Sequence, residues 1–308
     1  MSQISLDDLT VVITNFFSGD KLDKCLSHIS PKIKKIIIDN GNEVENKKYY
    51  ESKFENLIYY LSKENLGVPR SYSLAHSLVK TKYMFNTQPD VIIKQNCIEK
   101  LIQRISTYPN AIILSPIIFH NSNYYADGDY KVLKKNIKNK IKTKTKDLCE
   151  KIPDGDLSVD AVTGTAMLID RSKLSQLNDW DKNIFNYYED MDLCLRAKSK
   201  GFEIIKIKSA EVDHMAFSSH DCKHEDELNF SRNWHYSWSH LYFKRKHENK
   251  LFANLWGFFL LAKSLCKCFF YFFISKKKFL THYAKSLGFF YSLIYCKSFY
   301  RPNIKNKN

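Results

Sequence analysis

The chain has 308 residues, with 48 Lys and Arg against 33 Asp and Glu, so its formal net charge is +15. This positive surplus predicts an anionic partner: nucleic acid, a phosphate-bearing substrate or an anionic membrane surface. The eight cysteines form no Cys-x-x-Cys pair and no zinc-type spacing. This excludes the disulfide-scaffold and zinc-ribbon classes and predicts reduced thiols in a cytosolic protein.

Short apolar runs alternate with helical patterns in the first part of the chain. Strands are predicted over residues 9–15, 35–39 and 57–61 and from residue 83, and helices over 22–29 and 69–80. This rhythm predicts a parallel sheet covered by helices on both faces. Ligands of such sheets bind beyond the carboxyl ends of the strands. Asp39 ends the second strand, so it either contacts a ligand or forms an Asx turn.

Residues 121–156 differ in character, because nine lysines lie between Lys131 and Lys151. The segment is either a solvated loop or a loop that attracts phosphates or anionic lipid. Beyond it we expect a strand over 157–162, the turn Thr163-Gly164-Thr165 and a further strand over 166–170.

Three carboxylates follow within four positions, Glu189, Asp190 and Asp192, at the start of a predicted helix that ends near Gly201. Acidic residues in a first helical turn are favoured by the helix dipole and by N-capping, so capping is one interpretation and chemistry is the other. A strand over 202–207 then leads to His214. The nearby His220, Cys222 and His224 match no standard zinc ligand set.

The C-terminal part is aromatic and basic. Residues 251–274 form an apolar run of 24 residues, long enough to span a bilayer. Lys263 and Lys267 lie in its middle, four apart on one helical face, and each is costly at the centre of a bilayer. We therefore expect residues 251–308 to lie on an anionic membrane surface, with a helical hairpin over the core as the alternative. Because the N-terminus lacks a signal-peptide pattern, we expect a cytoplasmic protein, peripheral on the inner face of the cell membrane.

The landmarks occur in one order along the chain: Ile-Ile-Ile-Asp39-Asn40-Gly41, Glu64-Asn65-Leu66-Gly67, Gln88-Pro89-Asp90-Val91, Val162-Thr-Gly164-Thr-Ala, Tyr188-Glu189-Asp190-Met-Asp192-Leu-Cys-Leu-Arg196, and His214. Over about residues 9–250 this order resembles the family 2 inverting glycosyltransferases. Among these, the chain is most similar to rhamnosyltransferase-like enzymes of bacterial O-antigen and capsule assembly.

The resemblance implies a GT-A fold, α/β with a Rossmann-like, mostly parallel sheet and helices on both faces. The glycosyltransferase domain would occupy residues 1–250, with a nucleotide-sugar-binding half at 1–120 and an acceptor and catalytic half at 157–250. A C-terminal amphipathic helical region, membrane-associating, would follow at 251–308. The implied donor is a dTDP- or UDP-linked sugar, rhamnose-like or another hexose. The implied acceptor is a glycan or a lipid-linked glycan, and nucleic acid is not expected as a partner.

The resemblance also implies site residues. Asp190 would be the general base, and Asp90 and His214 would bind a divalent cation, Mn²⁺ or Mg²⁺, on the diphosphate. Asp39 would bind the pyrimidine base. The other implied substrate-binding residues are Asn65, Gly67, Gln88, Gly164, Glu189 and Asp192. Glu189 and Asp192 would orient the site or cap the helix, and Arg196 would pair with one of them. Gln88 stands where the family commonly has Asn or Asp, which leaves one firm carboxylate in the metal motif.

The proposed roles suit the residue types, because a carboxylate can take the proton of an attacking hydroxyl and a cation can neutralise a departing diphosphate. Two other functions remain as alternatives. One is a processive polysaccharide synthase, although the chain lacks the Gln-x-x-Arg-Trp element of those enzymes and their several membrane spans. The other is a non-enzymatic basic protein that binds nucleic acid or membranes, although no recognised nucleic-acid-binding module is present.

Overall fold

The computed structural model describes residues 4–120, 122–124, 152, 154–215 and 225–302. Two compact units contain them, the first within Met1–Trp180 and Asp190–His220 and the second within Asp181–Glu189 and Asp221–Asn308. The nine lysines of the Lys131–Lys151 segment lie outside the described residues, as do His220, Cys222 and His224. The predicted domain boundary at residue 250 stays a prediction.

One mixed β-sheet forms the centre of the first unit. Its strands, in chain order, are β1 (Leu9–Asn15), β2 (Lys34–Asp39), β3 (Leu57–Leu61), β4 (Tyr83–Thr87), β5 (Val91–Ile93), β6 (Ala111–His120), β7 (Asn123–Tyr124), β8 (Leu157–Val159), β9 (Ala166–Asp170) and β10 (Glu203–His214). Their order across the sheet is β3-β2-β1-β4-β9-β6-β10-β5, with β7 beside β6 and β8 beside β10.

The strand directions combine two parallel blocks. Strands β1 to β4 pair in parallel, as do β6 and β10. Strand β9 lies antiparallel between β4 and β6, and β5 is antiparallel to β10. The predicted α/β class is confirmed. The sheet is mixed, however, whereas the continuous apolar strands had predicted parallel pairing. The pattern did not reveal this because β9 is buried along its whole length, as a parallel strand would be.

Helices cover both faces of this sheet. They are α1 (Asp20–Ser27), α2 (Val44–Lys53), α3 (Gly67–Leu78), α4 (Cys97–Ile105), α5 (Arg171–Gln176) and α6 (Glu189–Ser199). Because side chains alternate along a strand, Val11 and Ile13 of β1 enter one core cluster with α1 and α4, and Val12 enters the other with α3 and α6.

The second unit contains three long helices, α7 (Glu225–His247), α8 (Lys250–Phe272) and α9 (Lys276–Leu293). Helix α9 comes very close to α7 at Gly288, where an added Cβ would overlap the carbonyl oxygen of Trp234. Helix α8 buries only small residues, Ala253, Gly257 and Ser264. The predicted aromatic helical region is therefore present.

Helix α8 has the length and composition of a membrane-crossing helix, and it is the one such helix among the described residues. Its large apolar side chains are mostly exposed; Leu251 is 66% exposed and Phe269 is 73% exposed. A helix with so much exposed apolar surface marks an interaction site.

Candidate active site

The carboxyl ends of the parallel strands meet at one edge of the sheet. Strands β5 and β9 run the other way and begin at this same edge, since Val91 pairs with His214 and Ala166 pairs with Thr87. Strand direction therefore gathers most of the residues singled out from the sequence at one edge, namely Asp39, Gln88, Asp90, Gly164 and His214.

Asp39 lies at this edge and is fully buried. Its Oδ1 accepts hydrogen bonds from Asn15 Nδ2 and from the backbone N–H of Gly41, both at 3.0 Å, and its Oδ2 accepts one from the N–H of Glu43 at 2.7 Å. Burial raises the pKa of this carboxyl, while these donors act in the opposite direction. The Asx turn is thus present, and the contact to a pyrimidine base stays a prediction.

The segment Glu64–Gly67 is fixed against the end of β2 by Asn40. Asn40 Oδ1 accepts from the N–H of Leu66 at 3.0 Å, and its Nδ2 donates to Ser71 Oγ at 3.0 Å. Asn65 Oδ1 accepts from the N–H of Gly67 at 3.0 Å. Gly67 begins α3 with φ +71°, a conformation that glycine adopts readily. These contacts order the segment, and the substrate-binding roles of Asn65 and Gly67 stay predictions.

Asp90 lies between β4 and β5 and is fully buried. The carbonyl of Gln88 accepts from the N–H of Val91 at 3.2 Å, which makes the turn tight, and the carbonyl of Asp90 accepts from the N–H of Met215 at 3.0 Å. These backbone bonds bring the side chains of Asp90 and His214 together, with 3.6 Å between Oδ2 and Nε2. The structure therefore places the two predicted cation ligands side by side.

His120 is a further member of this group and is not among the residues singled out from the sequence. Its Nε2 lies 3.2 Å from Nδ1 of His214, and the two rings are nearly perpendicular at 82°. Burial lowers the pKa of His120, and the neighbouring His214 lowers it further. The one sequence signal was its position as the last residue of an apolar strand.

The donor atoms of Asp90 and His214 fit a divalent cation. Two cis ligands that each bind an ion at about 2.1 Å lie about 3 Å apart, close to the separation observed here. Among the described residues, no group of three or more His, Cys, Asp or Glu side chains forms a complete metal site. The pair would hold a cation whose other ligands come from substrate phosphates and water, as is usual for Mg²⁺ sites.

Asp190 lies beside the turn Thr163-Gly164-Thr165. Its Oδ2 accepts from the backbone N–H of Gly164 at 2.8 Å, and its Oδ1 accepts from the N–H of Met191 at 2.7 Å. The turn is itself fixed to the sheet, because Thr87 Oγ1 donates to the carbonyl of Thr165 at 3.1 Å. Burial raises the pKa of the Asp190 carboxyl, and the two N–H donors act against this rise.

Asp192 and Glu189 have different surroundings. Asp192 is fully buried, and Arg196 Nε donates to its Oδ2 at 2.8 Å while Nη1 of the same arginine donates to the carbonyl of Leu177 at 2.7 Å. The predicted pairing of Arg196 is thus present. Glu189 is buried as the first residue of α6. This geometry suits residues that orient the helix, and their predicted substrate contacts stay predictions.

The two residues before Glu189 have strained backbones. Tyr187 and Tyr188 both have φ +67°, which is uncommon for a residue with a bulky side chain. Within the second unit Tyr188 stacks on His240, with ring centroids 5.5 Å apart, and its hydroxyl lies 3.3 Å from that of Tyr236. Strain of this kind persists only where packing enforces it, and it is frequent at functional sites.

Comparison with known proteins gives one family. The model of glycosyl transferase family 2 matches residues 10–171, just over half of the chain. The chain is 24% identical over 231 residues to the low-salt glycan biosynthesis hexosyltransferase Agl10 of Haloferax volcanii, covering 70% of this chain and 69% of that protein. It is 26% identical over 203 residues to the rhamnosyltransferase WbbL of Escherichia coli K12, covering 61% of this chain and 74% of that protein.

Two solved structures have a similar fold. One is GalNAc-T7 with UDP, GalNAc and Mn²⁺, with a TM-score of 0.53, 15% identity, and coverage of 67% of this chain and 42% of that chain. The other is the mannosyltransferase PcManGT from Pyrobaculum calidifontis with GDP-Man and Mn²⁺, with a TM-score of 0.50, 9% identity, and coverage of 76% and 64%. This chain thus spans less than two thirds of either structure, and the likeness confirms the GT-A fold.

We predict that Arg196→Leu lowers the free energy of unfolding by about 3 kcal/mol, because it leaves a buried carboxylate without its ion-pair partner. The matched control is Lys198→Leu on the same helix, whose 3.7 Å contact with Asp160 is partly exposed. That change should cost less than about 1 kcal/mol. Thermal and urea unfolding followed by circular dichroism measure both. Equal stability of the two variants would contradict a structural role for the Asp192–Arg196 pair.

Proposed function

The chain belongs to glycosyl transferase family 2, and from this premise we propose that it transfers a sugar from a nucleoside diphosphate to a hydroxyl group with inversion at the anomeric carbon. The proposed donor is a dTDP- or UDP-linked hexose, rhamnose-like or another, and the proposed acceptor is a glycan or a lipid-linked glycan. The names of the similar hexosyltransferase and rhamnosyltransferase support this substrate class. The main support is the position of Asp190 near the start of α6, where its carboxylate accepts a hydrogen bond from the backbone N–H of Gly164.

The donor would bind along the carboxyl edge of β1, β2 and β4. Asp39 would contact the pyrimidine base, and Asn65, Gly67 and Gln88 would line the path from the base to the diphosphate. Support comes from the loops themselves, because backbone and side-chain hydrogen bonds already fix them at this edge. A preordered site loses less conformational entropy when substrate binds.

Asp190 would act as the general base. The acceptor hydroxyl gives its proton to the Asp190 carboxylate as its oxygen bonds to the anomeric carbon, and the bond from that carbon to the diphosphate oxygen breaks. Each carboxylate oxygen accepts one backbone hydrogen bond and keeps lone-pair capacity for the incoming proton. Burial raises the pKa of this carboxyl, which makes it a stronger base. Gly164 holds the carboxylate, and Glu189 and Asp192 orient α6.

Asp90 and His214 would hold a divalent cation, Mn²⁺ or Mg²⁺, which when bound neutralises charge on the departing diphosphate. The pair supplies two donors, so coordination positions remain for phosphate oxygens and water. The Mn²⁺ in the two similar solved structures is consistent with this proposal.

Helix α8 would place the enzyme on the inner face of the cell membrane. Leu251, Phe258, Leu265 and Phe272 recur every seven residues, so they line one side of the helix, and Lys263 and Lys267 point to the opposite side. All six side chains are exposed. Trp256 and Phe270, each seven residues from Lys263, are exposed on the lysine side. Exposed apolar side chains thus surround much of α8, which suits a helix in the plane of an anionic membrane whose two lysines reach the headgroups.

No observation of the described residues favours a processive synthase. Membership of a glycosyltransferase family favours an enzyme over the non-enzymatic alternative.

We predict that Asp190→Asn lowers the rate of sugar transfer by about 10²–10⁴-fold, because the amide cannot accept the proton of the acceptor. The amide oxygen can keep the hydrogen bond from Gly164, but the amide nitrogen cannot accept the one from Met191. Loss of one hydrogen bond costs about 1 kcal/mol, so the variant should fold with a melting temperature within a few degrees of the wild type. Transfer and donor hydrolysis are measured by nucleoside diphosphate release from a panel of dTDP- and UDP-sugars, with a lipid-linked acceptor.

The matched control for this change is Asp160→Asn, a carboxylate on the surface of the first unit that should retain full activity. In the wild type, activity should fall as the pH decreases through the raised pKa of Asp190, above its ordinary value of 3.8. Undiminished transfer by the folded Asp190→Asn variant would eliminate this residue as the base.

We predict that reversing Lys263 and Lys267 to Glu weakens binding to vesicles of equimolar phosphatidylcholine and phosphatidylglycerol, by more than about 10-fold at low salt. Each lysine near an anionic surface contributes about 1 kcal/mol. Reversal of the exposed Lys32 and Lys48 in the first unit makes the same change in net charge and is the control. Sedimentation with vesicles measures binding. Wild-type protein in cell membranes should be released by alkaline carbonate, and resistance to extraction would indicate a spanning helix.

A further inference from the structure

The pairing of three strands brings three side chains into one row. Strand β10 lies between β5 and β6, with His214 opposite Val91 of β5 and Asp213 opposite Phe119 of β6. The next residues of the two strands, His120 of β6 and His214 of β10, are therefore neighbours across this parallel pair. Asp90 completes the row on the β5 side of His214.

The end of β6 is fixed by a second contact with β10. Asp213 accepts hydrogen bonds from the backbone N–H and the hydroxyl of Ser122, at 3.1 and 3.3 Å to Oδ2. Ser122, two residues after His120, is thus attached to Asp213, the residue before His214. Because His120 and His214 are the last residues of two strands that pair in parallel, the ring of His120 has a defined position relative to that of His214.

The two nitrogens of His214 face different groups. Nε2 faces the carboxylate of Asp90 at 3.6 Å, and Nδ1 faces Nε2 of His120 at 3.2 Å. An imidazole binds a cation through an unprotonated nitrogen, so ligation through Nε2 requires the proton to be on Nδ1. That N–H then needs an acceptor, and His120 Nε2 is at hydrogen-bond distance.

We infer that His120 is a positioning residue for His214, accepting the Nδ1–H hydrogen bond that fixes the tautomer and the ring orientation in which His214 presents Nε2 to a divalent cation. This inference rests on the proposed cation site at Asp90 and His214. Outer partners of this kind orient metal-ligating histidines, and their loss typically weakens metal binding by about 10–100-fold. His120 has this role because its Nε2 faces Nδ1 of His214, whereas Asp90 faces the other ring nitrogen, Nε2.

The test uses the full-length protein and MnCl₂ alone. Free Mn²⁺ is measured by electron paramagnetic resonance during titration, and electron spin echo modulation of bound Mn²⁺ detects the coupled imidazole nitrogen. The variants are His120→Ala, His120→Asn and His120→Gln. The glutamine amide extends to the position of Nε2, whereas the shorter asparagine amide does not, so this pair separates the hydrogen bond from general packing.

We expect the Mn²⁺ dissociation constant to rise about 10–100-fold in His120→Ala and His120→Asn and to return close to the wild-type value in His120→Gln. The nitrogen modulation should persist in His120→Ala at saturating Mn²⁺ and be absent in His214→Ala. His28→Ala, which removes an exposed histidine at the end of α1, is the matched control and should bind Mn²⁺ as the wild type does. Melting temperatures identify any variant that fails to fold.

Three results would overturn the inference, and each has its own pattern. Unchanged Mn²⁺ affinity in His120→Ala would show that His214 needs no such partner, while the cation site itself stands. Loss of one of two coupled nitrogens in His120→Ala would make His120 a ligand. Wild-type affinity in both Asp90→Asn and His214→Ala would refute the proposed cation site, and the inference would fail with it.

Discussion

Strand β10 is hydrogen-bonded to β6 in parallel and to β5 in antiparallel orientation, and the proposed chemistry depends on this pairing. The antiparallel pair aligns Val91 with His214, so Asp90 meets His214 although the two residues are far apart in the chain. The parallel pair aligns the end of β6 with the same residue. Backbone hydrogen bonds between strands are difficult to shift, because a slip of one residue would move every side chain to the other face. The proposed cation pair is therefore positioned by the end of β10 and by the tight turn that precedes β5.

Strand β9 begins at the same edge and positions the turn that contacts Asp190, the proposed base. This strand runs antiparallel to β4 and begins at the edge where β4 ends, so the turn Thr163-Gly164-Thr165 lies over the edge. Gly164 presents its N–H to Asp190 from there. A side chain at this position would be in contact with Asp190, because an added Cβ would lie 3.7 Å from the Cβ of the aspartate. The fold thus holds a carboxylate whose pKa burial raises next to a turn that limits its movement.

Much of the fold could be predicted from local patterns. The strands ending at Asn15, Asp39 and Leu61 are continuous apolar runs followed by turn residues, and the structure contains all three. Helix α2 had no such signal, because Tyr50 is its one buried residue. The direction of β9 was not predictable, since full burial looks the same in parallel and antiparallel strands. His120 was missed for a related reason: its partner His214 is 94 residues away, and only strand pairing brings the two together. The order of motifs indicated the family, which the comparisons confirm.

The most direct measurement is a crystal structure with Mn²⁺ and either UDP or dTDP, with X-ray data collected at the manganese absorption edge. We expect one anomalous peak at about 2.2 Å from Asp90 Oδ2 and His214 Nε2, in contact with the diphosphate. The nucleoside should then extend along the edge toward Asp39. The terminal phosphate, which carries the sugar in the donor, should face Asp190. A bound nucleotide whose Mn²⁺ lies away from Asp90 and His214 would refute the proposed cation site.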